Sequence, residues 1–289
     1  MIYDAHLHQY HGPSDTPREF LEKAKSAGVI GGSIFSIGPT PSYGNPDHDF
    51  RWEYRLEKVL EFTAETPGFI PYLRMDPSAA DAEKQIQTAV EKGIKGIKII
   101  CEWYYPCDII RTCEIIAEAG LPLMFHSGIL AGDRKLLSGR FNKPLEFECL
   151  FNVPKLRFSL AHIGWPWVED YMAMVSKSFF VSDPEFGNEL FFDITPGTPG
   201  INREDALRKL YLSCYDVRKK VLWGTDGAVN DYAPKLPRFW IERDSQYMKR
   251  IGEDSYLADS AYRTHDLDYS NIFAQATEEN WKIFNRITD

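Results

Sequence analysis

Residues 79–100 read AADAEKQIQTAVEKGIKGIKII and contain one helix followed by one strand. The first part, 79–92, predicts a helix. The second part, GIKGIKII at 93–100, is a short isoleucine-rich run, which is typical of a buried strand. The same alternation continues along most of the chain, and this alternation decides the predicted fold.

Eight short β-rich runs alternate with helix-like segments. The first run opens at residues 2–3, and the others are predicted at 29–38, 68–75, 93–100, 121–126, 156–162, 188–195 and 220–226. Helices are predicted at 16–27, 52–65, 79–92, 107–119 and 203–214, with a further short helix before the sixth strand. No tight-turn signal of a β-hairpin joins two consecutive strands.

Strand-then-helix units without hairpins favour an all-parallel sheet with helical crossovers, and eight is the number of strands that closes a barrel. The sequence therefore predicts an α/β fold, a (β/α)8 TIM barrel with additional C-terminal helices. An open doubly wound sheet is the alternative, but no GxGxxG motif or phosphate-binding loop follows any predicted strand. Pro71 is a weak point of the third strand, because proline cannot donate to the sheet ladder.

The 289 residues are expected to form a single domain, since α/β barrels commonly reach this length. The barrel is predicted to occupy about residues 1–235, and additional helices about residues 236–289. The last of these, within FAQATEENWKIF, is expected to pack on the outside of the barrel.

Composition limits the classes of partner. Lys and Arg number 33 against 42 Asp and Glu, and the basic residues are scattered. Phosphate binding depends on clustered basic residues, so a small-molecule substrate is favoured over nucleic acid. No run reaches the roughly 18 apolar residues of a membrane span, so no membrane partner is expected. A homo-oligomer such as a dimer remains open.

Cysteine usage bears on the compartment. The five cysteines are odd in number and show no CxxC spacing, and no basic-then-apolar leader precedes the first strand. These features predict a reduced, cytoplasmic protein.

In a parallel barrel the active site lies at the carboxyl ends of the strands. Polar residues stand at six of these predicted strand ends. There are eight such residues, four of which are histidines: His6, His8, Arg74, Asp76, Lys98, His126, His162 and Asp226. An HxH pair alone is more often a surface or core pair than a metal site. Polar residues at the ends of several strands, in contrast, favour one site that these strands share.

The pair His6 and His8 can point to the same face of a strand, about 6.6 Å apart by rise. His126 and Asp226 can complete a metal site that leaves a position for water, which is the catalytic type of site. His162 would then be free to move protons as a general base. The alternative for His162 is a buried histidine that is hydrogen-bonded to the backbone.

Five motifs together resemble the amidohydrolase superfamily, most closely its amidohydrolase-2 branch, which includes aminocarboxymuconate semialdehyde decarboxylase, resorcylate decarboxylases and several lactone and amide hydrolases. The motifs are DAHLH, GIKGIKI, FHSG, PKLRFSLAHIGWPW and VLWGTD, in that order from the first strand to the eighth. The resemblance extends from Met1 to about Asp226, and the C-terminal IFAQATEENWKIF resembles the closing helix of the branch.

This resemblance implies one divalent metal, usually zinc, with manganese or iron as alternatives. The implied ligands are His6, His8, His126 and Asp226, and His162 acts as a base or polarises the substrate. Many relatives continue the fourth strand as GIKLHP, where this chain has GIKIICEWYYP, so the substrate is expected to differ. In other branches a carboxylated lysine bridges a second metal, which Lys98 could do, although this branch generally does without it.

Three functions follow as hypotheses. The first is a metal-dependent hydrolase that acts on a small amide, lactone or ester through a metal-activated water. The second is a nonoxidative decarboxylase of a small aryl or unsaturated carboxylic acid, and the third is an inactive barrel that binds a small molecule. The candidate substrate-binding residues are Arg74, Lys98 and Arg140, for a carboxylate, and Trp165, for an apolar wall. The loops at 127–141 and 231–263 are expected to shape specificity.

Overall fold

The computed structural model describes residues 1–12, 15–40, 48–130, 138–181, 183, 185–213, 215–258 and 267–287. One sheet runs through them with the strand order β8-β7-β6-β5-β4-β3-β2-β1-β9, and every pair is parallel. The strands are β1 Ile2–His8, β2 Val29–Phe35, β3 Phe69–Arg74, β4 Gly96–Ile99, β5 Leu123–Phe125, β6 Arg157–Leu160, β7 Glu189–Asp193, β8 Val221–Leu222 and β9 Gly227–Ala228.

The sheet closes between its first and last strands. β8 pairs with β7, whereas β9, which begins five residues after β8 ends, pairs with β1. Between them, the Ala5 amide donates to the Trp223 carbonyl at 3.0 Å. The two short strands therefore act as one interrupted eighth strand, and the predicted (β/α)8 barrel is confirmed.

Most predicted helices are present close to their predicted bounds. The α-helices are α1 Pro17–Ser26, α2 Trp52–Ala64, α3 Ala82–Glu91, α4 Ile110–Glu118, α5 Val168–Phe180, α6 Gly200–Tyr211, α7 Lys235–Glu253, α8 Ile272–Ala274 and α9 Asn280–Phe284. The short helix before β6 is a 3-10 helix, Pro144–Asn152. Helix α5 was not predicted, although its residues Val168, Tyr171 and Val175 are buried on one face at helical spacing.

Pro71 proves compatible with the interior of β3. It is aligned with Ile34 of β2, and its carbonyl accepts a hydrogen bond from the Lys95 amide at 2.8 Å. In a sheet, proline lacks only the backbone N–H donor, and β3 therefore remains paired with both β2 and β4. Within the described residues, no helix combines the length and apolarity that crossing a membrane requires.

The C-terminal helix α9 corrects one expectation, because it closes the amino-terminal end of the barrel instead of packing outside it. Trp281 stacks on Tyr3 at the start of β1, with ring centroids 4.4 Å apart, and its indole donates to Ser33 Oγ at 3.0 Å. Together with Phe284 it joins the side chains that fill the barrel interior: Ala5, Phe35, Tyr72, Met124, Phe191 and Leu222. Burial of these aromatic rings makes α9 part of the core.

A buried ion pair connects the barrel to α7. The Arg203 guanidinium, on α6, donates to both carboxylate oxygens of Asp244 on α7, at 2.7 and 2.6 Å. Arg203 also donates to the Ile194 carbonyl after β7, and the Trp223 indole after β8 donates to Asp244. Both charged side chains are fully buried. Helix α7 is therefore bound to the carboxyl ends of the last two strand units.

Arg203→Met should lower the free energy of unfolding by about 3–5 kcal/mol, because it leaves the buried Asp244 carboxylate without its counterion. Lys209→Met is the matched control: Lys209 lies on the same helix, but its ion pairs with Glu169 and Asp205 are exposed, and its loss should cost at most about 1 kcal/mol. Urea unfolding monitored by circular dichroism measures both. Equal losses in the two variants would contradict this role.

Candidate metal centre

A cavity of about 250 Å³ opens at the carboxyl ends of the strands. Seven of the polar residues predicted at strand ends line it: His6, His8, Arg74, Lys98, His126, His162 and Asp226. They come from six different strand units, which is the arrangement expected when parallel strands end at one face. Ile100, Ile129 and Trp165 add apolar surface, so the cavity combines a polar floor with apolar walls.

Three side chains at the floor converge closely enough to hold a metal ion. One donor atom from each of His6, His8 and Asp226 lies within 4.8 Å of the other two. His8 Nε2 is 3.0 Å from Asp226 Oδ1, and His6 Nε2 is 3.5 Å from the same oxygen. Two imidazoles and one carboxylate with cavity space beside them form the donor set of an open, catalytic type of metal site.

His126 and His162 lie beside this group. The His162 ring centroid is 5.0 Å from that of His126 and 5.3 Å from that of His6. Both side chains are buried, and His126 Nε2 and His162 Nδ1 have no hydrogen-bond partner among the described residues. Buried polar atoms are normally satisfied, so these two nitrogens point to a ligand of the cavity. His126 does not belong to the close three-residue group.

The other ring nitrogen of His6 contacts a residue that sequence analysis did not select. Asp193, the last residue of β7, places Oδ2 2.7 Å from His6 Nδ1. It is fully buried. The sequence did contain a signal for Asp193, which is a carboxylate directly after the apolar run LFF. From the third strand to the eighth, only the seventh was given no polar residue at its predicted end.

A second buried carboxylate joins the first and last strands under the site. Asp4 Oδ1 accepts hydrogen bonds from the backbone amides of His6 at 3.1 Å and Thr225 at 3.0 Å. Its Oδ2 accepts from the Thr225 hydroxyl at 2.6 Å. Asp4 therefore fixes the residue that precedes Asp226 relative to the strand that carries His6 and His8.

The backbone is strained at two of the site residues. His162 and Asp226 have φ angles of +63° and +59°, in the left-handed region, and Ile163 follows His162 at +50°. A left-handed conformation in a residue other than glycine costs about 1–3 kcal/mol, and for a β-branched residue it is a rare outlier. Such strain concentrates at functional sites, where the surrounding structure holds a side chain in one position.

Glycine makes room for His162 in this strained turn. A Cβ on Gly197 would lie 2.8 Å from the Cβ of His162, closer than real Cβ contacts come, and 3.1 Å from its Cγ, which is also tight. The chain after β7 can therefore pass against the imidazole only without a side chain at this position.

Two cations face the same cavity. Lys98 is fully buried, and its Nζ lies 3.3 Å from His6 Nε2. Burial lowers the pKa of Lys98 to about 8. Arg74 is also buried, and its Nη2 lies 3.3 Å from Glu102 Oε1. Burial raises the pKa of Glu102 above its ordinary value, against the effect of Arg74.

The other two predicted substrate-binding residues, Trp165 and Arg140, differ in position. Trp165 lines the cavity and is half-buried. Arg140, in contrast, is exposed and is not among the lining residues. It lies on the 3-10 helix Ser138–Phe141, and its guanidinium is 4.5 Å from the ring centroid of the adjacent Phe141. Residues 131–137 and 259–263 of the two loops expected to shape specificity lie outside the described residues, as do Cys214 and His265.

The protonation states suit a cation site. Burial lowers the pKa of His6 and of His126 well below the ordinary value, and the Lys98 ammonium adds to this effect. Desolvation would raise the pKa of Asp226, but the hydrogen bond with His8 and the neighbouring imidazoles hold it below its usual range. At neutral pH the imidazoles of His6 and His126 are neutral and the Asp226 carboxylate is ionised, as metal ligands must be.

Comparison with known proteins identifies a family and a fold. The amidohydrolase-2 family model, described as Amidohydrolase, matches residues 4–254. No curated protein matches the sequence of this chain.

Three solved structures have a similar fold. An amidohydrolase from Burkholderia multivorans is 9% identical over 100% of both chains, with a TM-score of 0.62. A protein assigned as a probable 2-pyrone-4,6-dicarboxylic acid hydrolase from Acinetobacter baumannii is 10% identical over 99% of both chains, with a TM-score of 0.58. A protein assigned as a metal-dependent hydrolase from Lactobacillus casei is 12% identical over 96% of this chain and 78% of its own, with a TM-score of 0.59.

The burial of His126 predicts how stability depends on pH. The unfolded chain takes up a proton at this residue near pH 6.5, whereas the folded protein keeps the imidazole neutral until well below that pH. As the pH falls below about 6.5, the wild-type protein should therefore lose stability relative to His126→Gln, with a slope approaching about 1.4 kcal/mol per pH unit.

Urea unfolding of both proteins at pH 8, 7, 6 and 5, in buffer with a chelator, measures this difference. A difference in unfolding free energy that stays constant over this range would show that His126 titrates alike in both states.

Proposed function

Because this chain belongs to the amidohydrolase family, we propose that it is a metal-dependent hydrolase that acts on a small amide, lactone or ester. The observation that carries the proposal is the convergence of His6, His8 and Asp226 within 4.8 Å at the floor of the cavity. The cavity volume of about 250 Å³ suits a small molecule.

The proposed metal ligands are His6, His8 and Asp226, with His126 as a fourth. The donor chemistry supports this assignment, since the three imidazoles and one carboxylate are ligands that zinc prefers. The orphaned, buried Nε2 of His126 also supports it. Zinc is the proposed metal, with manganese and iron as alternatives, because imidazole and carboxylate also bind those ions. A divalent ion bound by these residues would polarise a substrate carbonyl as a Lewis acid and lower the pKa of water.

The residues of the chain then handle the substrate and its protons. Asp226 is ionised at neutral pH and accepts the proton that the attacking water loses as its oxygen bonds to the carbonyl carbon. His162, whose ring centroid lies 5.0 Å from that of His126, takes up this proton from Asp226 and passes a proton to the leaving oxygen or nitrogen as that bond breaks, so that both residues return to their starting protonation states. Its strained backbone and the contact with Gly197 hold the ring in place.

Arg74 and Lys98 make the cavity favourable to an anionic substrate. Both are buried cations on its lining, where a carboxylate would form charge-assisted hydrogen bonds in a low-dielectric setting. We therefore propose that the substrate carries a carboxylate and that Trp165 contacts its apolar part.

The same two cations favour a second candidate, a nonoxidative decarboxylase, because a carboxylic acid is then the substrate itself. The reactions differ in their products. Hydrolysis incorporates one oxygen from ¹⁸O-labelled water into the product, whereas decarboxylation releases carbon dioxide and replaces the carbon–carboxylate bond with a carbon–hydrogen bond. A panel of lactones, amides and aryl carboxylates assayed in labelled water separates them.

His8→Ala should strongly reduce the bound metal, because it removes one ligand of the three-residue group. Elemental analysis of protein purified without chelator measures the metal-to-protein ratio, and turnover on the same panel should fall with it. Arg18→Ala is the control, since Arg18 is an exposed cation on α1. A full metal content in His8→Ala, or none in the wild-type protein, would contradict the metal assignment.

Arg74→Gln should raise KM for carboxylate substrates by about 10- to 100-fold, the equivalent of about 1.5–3 kcal/mol for a hydrogen bond to a charged group. Steady-state kinetics on a carboxylate substrate and its neutral amide or methyl ester check this result, with Arg18→Ala as the control for loss of one positive charge. If KM rises equally for charged and neutral substrates, Arg74 does not recognise the carboxylate.

A further inference from the structure

We propose that Asp193 is a positioning residue that holds His6 in a single tautomer, with the hydrogen on Nδ1 and the lone pair of Nε2 directed into the cavity. The inference deepens the proposed function, which depends on His6 as a metal ligand. It concerns the other ring nitrogen of His6, Nδ1, which contacts Asp193 at the end of β7.

The carboxylate of Asp193 is itself fixed in orientation. Its Oδ1 accepts a hydrogen bond from the Thr195 amide at 2.6 Å and another from the Thr195 hydroxyl. Its Oδ2 is left for His6 Nδ1, at 2.7 Å. All three residues are buried, with exposed fractions of at most 1%. No water competes for the contact in such surroundings, so the hydrogen bond holds the imidazole plane as well as its position.

The tautomer follows from what each neighbour can donate. An ionised carboxylate only accepts hydrogen bonds, so the contact with Asp193 requires a hydrogen on His6 Nδ1. On the other side of the ring, Lys98 Nζ lies 3.3 Å from His6 Nε2. A lysine ammonium donates to a lone pair on Nε2, whereas the neutral amine present near the Lys98 pKa of about 8 can also accept, so this contact agrees with the tautomer but does not set it. The shorter contact, with Asp193 on β7, therefore sets the tautomer, and the longer one, with Lys98 on β4, is compatible with it.

The consequence for a metal ligand is direct. Only a nitrogen with a free lone pair can bind an ion, and a hydrogen bond from the second ring nitrogen to a carboxylate raises the basicity of the first. Removal of such an outer partner typically weakens metal affinity by about 10- to 100-fold. Asp193 therefore acts through His6 and does not itself reach the cavity, since it is absent from the lining residues.

The test uses Asp193→Leu, which keeps a similar volume and removes the acceptor, and Asp193→Asn, which keeps an acceptor oxygen without the charge. ¹⁵N NMR of the metal-free, histidine-labelled protein at pH 8 reports which ring nitrogen of His6 carries the hydrogen. Competition with a chelator measures the affinity for Zn²⁺. The matched control is Glu102→Gln, because Glu102 is another buried carboxylate near the cavity and pairs with Arg74 instead of a histidine.

We expect wild-type His6 to show a single tautomer with the hydrogen on Nδ1. Asp193→Leu should lose this single tautomer, and Zn²⁺ affinity should fall about 10- to 100-fold. Asp193→Asn should keep the tautomer and recover part of the affinity. Glu102→Gln should change the affinity by less than about twofold, since it leaves the outer partner of His6 in place.

Thr195→Val provides a second variant, should Asp193→Leu fail to fold: it keeps the Asp193 acceptor and removes the hydroxyl that donates to Asp193 and also lies 3.3 Å from His6 Nδ1. It should weaken Zn²⁺ binding in the same direction by a smaller factor. The proposal is overturned if wild-type His6 carries its hydrogen on Nε2, or if both Asp193→Leu and Thr195→Val leave the tautomer unchanged. A wild-type protein with the expected tautomer and no Zn²⁺ binding would overturn the proposed function while supporting the positioning role.

Discussion

Closure of the sheet between its first and last strands is the constraint on which the site depends. His6 and His8 lie on β1, and Asp226 lies between β8 and β9. These residues can meet only because the last strand of the sheet lies beside the first. The Asp4 carboxylate stabilises this junction, because it accepts hydrogen bonds from His6 on one strand and from Thr225 on the other. Asp226 then lies next to a fixed residue, in a strained conformation that the junction maintains.

Contacts at both ends of the barrel stabilise the junction between the first and last strands. At the amino-terminal end of the barrel, Trp281 and Phe284 fill the interior beneath the site. At the other end, the buried pair Arg203 and Asp244 binds α7 to the segments that follow β7 and β8. These segments begin next to Asp193 and close to Asp226. The helices after the eight strand units are therefore part of the framework that holds the candidate metal centre, although they contribute no lining residue to the cavity in the part of the chain that the structure describes.

The charges of the site are arranged in two layers. Imidazoles and the Asp226 carboxylate face the cavity, and further carboxylates, Asp193 and Glu102, lie behind a histidine and an arginine respectively. The outer carboxylates compensate cations and imidazole hydrogens that burial would otherwise leave unsatisfied. This arrangement leaves lone pairs and positive charge directed inward, which suits both a cation and an anionic substrate.

Much of this protein was predictable from its sequence, because helix and strand periodicity and the residue types at strand ends are local properties. The alternation of helix and strand predicted the barrel, and the strand ends predicted seven of the residues that line the cavity. Local patterns also had limits: α5 was missed, and α9 was expected outside the barrel. Whether an amphipathic helix packs outside a barrel or closes its end depends on residues far away in the sequence, such as Tyr3 and Ser33 for Trp281.

The sequence by itself determined the order of the elements and which chemical groups each strand presents at its end. Only the tertiary structure decided which of these groups meet: His6, His8 and Asp226 form one close group, His126 and His162 lie beside it, and Arg140 points elsewhere. The partner of His6 was also decided at this level, since Asp193 is 187 residues away. Strand register, barrel closure and the left-handed backbone at His162 and Asp226 set these distances, and each arises from packing between segments that are remote in the chain.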